Sequence, residues 1–205
     1  MTNDFIKFLA IAICFSIAVA NRNVLSKRDY RILSAALLLT VAADFFLVIM
    51  YEYPVGVAFF CVVQVLYNIR FGGTRRLKIL PLTLIVPIVF FIITRDILVT
   101  VALLYAQLFL LSYAAMLMAI RKKIYHAPNN ILIFIGMTAF VLCDVNVAIL
   151  NLGNMGFITN AEVVSFAGAA IWLFYTPSQI CLALSGHNFA RATHGRSLKR
   201  SDNYS

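Results

Sequence analysis

Apolar residues along this chain neither alternate nor recur on one face; they run on in long stretches separated by short polar breaks. Stretches of that length exceed a buried strand or an ordinary core helix and match membrane spans. A helix crosses the hydrocarbon core with about 20 mostly apolar residues. Seven segments meet that length, at 5–20, 32–51, 54–70, 77–94, 97–120, 131–150 and 163–185, the first being the shortest. The expected fold is all-α: a polytopic transmembrane helix bundle over residues 1–186, then a flexible, basic tail over 187–205 with no soluble domain.

The breaks between runs differ in charge. The basic ones follow the first, third and fifth runs and fill the tail: Arg22, Lys27, Arg28 and Arg31; Arg70, Arg75, Arg76 and Lys78; Arg121-Lys122-Lys123; Lys199-Arg200. The others carry only Glu52, Arg95-Asp96 and Glu162. This alternation holds at every connection and supports the count of seven. By the positive-inside rule it places the N-terminus outside and the C-terminus in the cytoplasm of a cell membrane. Ala18-Val19-Ala20 offers a small-residue cleavage site, and a signal peptide is the alternative for the first run. Asp4 offsets Lys7 and the strong positive cluster comes after the run, which favours an uncleaved helix. Pro54 and Pro128 stand near helix starts, whereas Pro81, Pro87 and Pro177 fall within helices, with a kink expected at Pro177.

Composition changes the picture only by exclusion. With 62% hydrophobic and 12% charged residues, the chain has too little polar surface to cover itself in water, where a soluble domain carries roughly 25% charged residues. The net charge of +9 is spread over loops rather than gathered on one face, so no nucleic-acid partner is expected. Cys14, Cys61, Cys143 and Cys181 lie inside apolar runs without CxxC spacing, as small buried residues would. His126, His187 and His194 have no metal-ligand partner at a recognisable spacing, so neither a metal nor a cofactor is expected.

Candidate chemistry then rests on polar residues within the spans. An ionisable group deep in a bilayer costs a few kcal/mol or more and is a functional candidate by default. Asp44 and Asp144 are the two that qualify. Each lies seven residues before the outer end of its helix, at Tyr51 and Asn151, hence about 10 Å below that end. The two meet at one level if the second and sixth helices are neighbours. Gln64, Tyr67 and Asn68 share a face of the third helix, and Tyr175 and Gln179 one of the seventh. Asn146 and Asn151 lie near Asp144, and Lys7 reaches inward or snorkels to the headgroups. For the Asn, Gln and Tyr residues helix-to-helix hydrogen bonding is the competing role, and for Lys7 it is that of an interfacial anchor.

At these residues the sequence resembles the YhhN-like family of membrane proteins, whose eukaryotic members include lysoplasmalogenases. Three blocks carry the resemblance, in order: AADFFLVIMYEYPVGVAFFCVVQVLYNIRF at 42–71, GMTAFVLCDVNVAILNL at 136–152 and WLFYTPSQICLALS at 172–185. Asp44, Gln64 and Tyr67 fill the pattern of the first, Asp144 that of the second, and Tyr175 and Gln179 that of the third. Ala43, Cys143 and Gln64 replace a more usual Gly, Ser and His, and Lys7 is similar to a lysine opening the family's second helix of eight.

The resemblance implies hydrolysis of the vinyl ether of a lysoplasmalogen-type lipid, with Asp44 and Asp144 catalytic and Gln64, Tyr67, Asn146, Tyr175, Gln179 and Lys7 around the substrate. Two carboxyls suit that reaction, because burial and a neighbouring carboxylate keep a general acid protonated near neutral pH. The partners expected are a lysophospholipid-like substrate and membrane lipids; nothing in the sequence speaks to oligomeric state. Two other classes stay open. In a small transporter, helices one to three and five to seven would repeat around the fourth, although TPSQ separates the Pro and Gln of the sugar-efflux motif. The second class is a lipid-binding scaffold or receptor; a retinal sensor is disfavoured, because the seventh helix has no lysine.

Overall fold

Inside hydrocarbon, every backbone N–H and C=O must be satisfied within the protein, so each apolar run closes on itself as a helix. The computed structural model describes residues 2–20, 24–73, 78 and 80–189, without the side chains of residues 2–7 and 10. Among them are seven helices: α1 (Thr2–Ala20), α2 (Lys27–Ile49), α3 (Tyr53–Gly72), α4 (Leu80–Thr94), α5 (Ile97–Arg121), α6 (Asn129–Asn154) and α7 (Ala161–Leu184). Five of them, α2, α3, α5, α6 and α7, are long and apolar enough to cross a membrane, and α4 is a shorter apolar helix. The seven expected runs and the seven helices coincide. The basic tail from 190 onward lies outside the described residues.

Local chemistry sets the ends. Ser26 caps α2 by accepting from Asp29 N at 3.1 Å, which starts that helix five residues before its apolar run. Asp96 caps α5 through Val99 N, and Asn160 caps α7 through the amides of Glu162 and Val163. Pro54 occupies the first turn of α3, where no amide hydrogen is needed. Pro87 explains the break of α4 between Leu80–Thr83 and Ile85–Thr94, since a proline ring crowds the carbonyl four residues earlier. Pro177, by contrast, is accommodated inside the continuous α7.

Six helices close a ring in the order α1, α2, α3, α5, α6, α7, with α4 packed outside on α5. Opposite members are therefore α2 and α6, α3 and α7. The seam between α5 and α6 is the lightest contact in the ring, and α2 also touches α7. Residues 25, 29, 70, 125, 129 and 185–187 gather at one end, through Leu25 N to Gly186 O at 3.1 Å and Asn129 Nδ2 to Ser185 O at 2.8 Å and His187 O at 2.7 Å. The starts of α2 and α6 thus share an end with the ends of α3, α5 and α7, as alternate crossing requires. This is the end of the basic loops.

That end also corrects one expectation. Arg70 is not a solvated loop charge: it is buried, and its Nε and Nη2 donate to Asp29 Oδ1 and Oδ2 at 2.9 and 3.0 Å. Tyr125 donates to the same Asp29 Oδ1 at 2.8 Å, and the guanidinium lies over the Tyr125 and Phe71 rings. The group ties α2 and α3 to the loop after α5.

Candidate functional site

Asp44 lies where α2 changes pitch. The α-helix ends there, and Phe45–Ile49 form a π-helical turn. Such single wide turns inside α-helices are frequent at functional positions. Asp44 is 4% exposed, and its Oδ2 accepts a 2.7 Å hydrogen bond from Tyr175 of α7. Asp144, on α6, is half-buried beside the light seam, and its Oδ2 accepts a 2.6 Å bond from Tyr105 of α5. Each carboxyl is thus held by one phenol from a different helix.

Matching depth alone does not make the two carboxyls neighbours, because α2 and α6 stand on opposite sides of the ring without packing together. What joins them lies between. Cys143 is buried within electrostatic reach of both carboxyls, and Tyr175 within reach of Tyr105. Phe140 packs on Tyr175 at 5.8 Å, on Phe109 at 5.3 Å and on Phe60 at 5.9 Å between ring centres, and Phe60 packs on Tyr105 at 5.9 Å. Ring contacts therefore run from Tyr175 to Tyr105 and link the two Asp–Tyr pairs. Two open clefts, of about 570 Å³ between the end of α6 and the start of α7 and about 350 Å³ beside Ala20 and His187, do not reach the aspartates.

The other expected residues divide. Gln64 is fully buried, and Ser112 of α5 donates to its Oε1 at 2.6 Å; it also lies beside Tyr105. Tyr67 and Gln179 are fully buried, and Asn68 is 2% exposed. Asn146 is buried but donates to Leu142 O of its own helix at 2.7 Å, and Asn151 is exposed and bonds Val147 O, so neither joins a carboxyl. Lys7 belongs to α1, and its side chain lies outside the described residues. Tyr105 and Ser112 were missed. They stand seven apart on one face of α5, a pattern visible in YAQLFLLS once Asp144 is known to need a donor. Among the described residues, no three His, Cys, Asp or Glu side chains converge to hold a metal ion.

A model of the YhhN family matches residues 2–186. No curated protein and no solved structure matches the chain.

Proposed function

The chain belongs to the YhhN family, and on that premise we propose that it is a hydrolase of the cell membrane that cleaves the vinyl ether of lysoplasmalogen-type lipids. The observation that carries the reading is the pair of carboxyls, each held by a phenol at 2.6–2.7 Å on opposite walls of one helix ring. A carboxyl in hydrocarbon is expensive, and asparagine would bond a phenol as well, so a structural role alone explains neither aspartate.

The chemistry proceeds in balanced steps. One carboxyl, as its acid form, gives its proton to the alkene carbon distal to the ether oxygen, leaving an oxocarbenium ion at the carbon bound to oxygen. The other carboxylate stabilises that cation and accepts a proton from the attacking water, as paired carboxyls do in glycoside hydrolysis. The hemiacetal so formed collapses as the second carboxyl gives its proton to the leaving glyceryl oxygen and the first carboxylate takes the hydroxyl proton. This releases a fatty aldehyde and a glycerophospho-headgroup and restores both carboxyls. The tyrosines hold each carboxyl in place through the cycle. A lipid with a single chain reaches this site from the bilayer, and the α5–α6 seam, where Asp144 is half-buried, is the nearest lateral approach.

The test is mass spectrometry of purified protein incubated in detergent with a lysoplasmalogen panel, where transport cannot register. Release of fatty aldehyde by the wild type and its loss in Asp44→Asn and Asp144→Asn are expected. Full turnover in either variant rejects the pair.

A further inference from the structure

Between the Arg70 group at the basic end and the aspartates, the ring interior holds a series of buried polar atoms. Asn68 Oδ1, Tyr67 Oη and both amide atoms of Gln179 find no hydrogen-bond partner among the described residues, nor does Arg70 Nη1, while Gln64 Nε2 has only the Tyr105 phenol beside it. Their side chains are at most 2% exposed, apart from Arg70 at 6%. Each such atom costs about 1–3 kcal/mol when left unmade in a protein, and more in hydrocarbon. Leucine at these places would be cheaper, so the residues are explained by a ligand with donors and acceptors.

Their depths form a progression. Along α3, at about 1.5 Å per residue, Asn68 and Tyr67 lie roughly 3 and 5 Å inward from Arg70, and Gln64 roughly 9 Å. Along α7, which runs toward the basic end, Gln179 lies about 6 Å on the basic side of Tyr175. α3 and α7 are opposite walls of the ring, and these polar groups are buried on both. Along α3 the successive steps in depth are about 2–5 Å, no more than two water diameters, and a buried water needs two to four polar partners. The top of the series is Tyr105, beside Gln64, and Tyr175, the two phenols bonded to the carboxyls.

We propose that Asn68, Tyr67, Gln64 and Gln179 bind a chain of internal waters that runs from the Arg70–Asp29–Tyr125 group to the aspartates and supplies the hydrolytic water from the basic end. The water site stands on the buried polar atoms alone; its role as supply rests on the hydrolase reading. The arrangement separates two traffics. An apolar chain approaches through lipid, water approaches along the polar interior, and the aromatic cluster around Phe140, in contact with Tyr175, borders the place where the two would meet.

X-ray hydroxyl-radical footprinting of wild-type protein in lipid nanodiscs tests the water site without reference to turnover, because radicals form only where water is. Tyr67, fully buried, is expected to be oxidised within about tenfold of the exposed Tyr51. Asn68→Leu and Gln179→Leu should each lower Tyr67 labelling by about threefold or more, with Tyr51 labelling unchanged as the check on folding. A wild-type Tyr67 as silent as Phe140 in the apolar cluster overturns the proposal, whatever the variants do. Labelled Tyr67 in a protein that releases no aldehyde keeps the water site and removes the hydrolase. Aldehyde release with a silent Tyr67 does the reverse.

Discussion

Arg70 grips both carboxylate oxygens of Asp29, at 2.9 and 3.0 Å, in a buried pair that joins α3 to the first turn of α2. A bidentate guanidinium–carboxylate pair of this kind holds geometry as well as charge. Removing one partner strands the other charge in the bundle, which typically costs about 3–5 kcal/mol. Asp29→Asn and Arg70→Ala should therefore each lower the unfolding midpoint strongly in detergent. The double replacement Asp29→Leu with Arg70→Met should cost less than either single change, because it leaves no uncompensated charge. A double variant no better than the singles would show that the pair does more than neutralise itself.

The same group predicts an alkaline limit. Burial pushes the Tyr125 phenol above its ordinary range and Asp29 adds to the rise, against the opposing pull of Arg70. The folded protein thus keeps this proton where the unfolded chain has lost it, above about pH 10. There the unfolded state binds fewer protons, so stability falls as pH rises. Tyr125→Phe should be less stable than wild type at neutral pH, through loss of the bond to Asp29, but should lose less further stability between about pH 9 and 11. Denaturation midpoints of the two proteins across that range give the comparison; parallel curves would reject it.

Much of this was legible in the sequence, and the limits have physical reasons. Length and hydropathy give the seven helices because hydrocarbon leaves the backbone no other option. Asp44 and Asp144 stand out because carboxyls in such runs are rare. Tyr175 could be placed on a polar face but not paired with Asp44, since that bond joins α2 to α7 across 131 positions of chain. Asp29 and Arg70 were hidden by their neighbours: each sits among basic loop residues, and a charge at a helix end looks the same in sequence whether solvated or enclosed. The wide turn after Asp44 left no mark either, for FFLVI reads as ordinary helix.

The two Asp–Tyr pairs should respond unequally. Tyr175→Phe leaves Asp44, almost fully buried, without its phenol, while Tyr105→Phe leaves a half-buried Asp144 at the seam. Stranding a buried acceptor costs about 1–3 kcal/mol, and the cost shrinks where other partners can reach it. Tyr175→Phe is expected to destabilise toward the upper value and Tyr105→Phe toward the lower, measured by thermal unfolding in micelles. On the hydrolase reading, Asp44→Asn and Asp144→Asn each lose about 10²–10⁴-fold in aldehyde release, whereas the phenylalanine variants keep partial activity because the carboxyls remain.

Gly56 marks a close approach of α3 to α2, and its lack of a side chain bears on Asp44. A Cβ there would collide with the Leu47 side chain and sit 3.0 Å from the Ala43 carbonyl oxygen. Leu47 belongs to the π-helical turn and Ala43 directly precedes Asp44. The added methyl must displace Leu47, by rotamer or by a shift of α2, just where that helix presents its carboxyl to Tyr175. Overpacking of this kind costs about 1–3 kcal/mol. Gly56→Ala should accordingly lose both stability and aldehyde release, although Gly56 itself carries no group that reacts. If the collision is the cause, Leu47→Ala in the Gly56→Ala background should restore part of both, since it removes the atoms the methyl meets. Loss of activity that persists after stability has recovered would mean that Leu47 itself, through the shape of the wide turn, sets the position of Asp44.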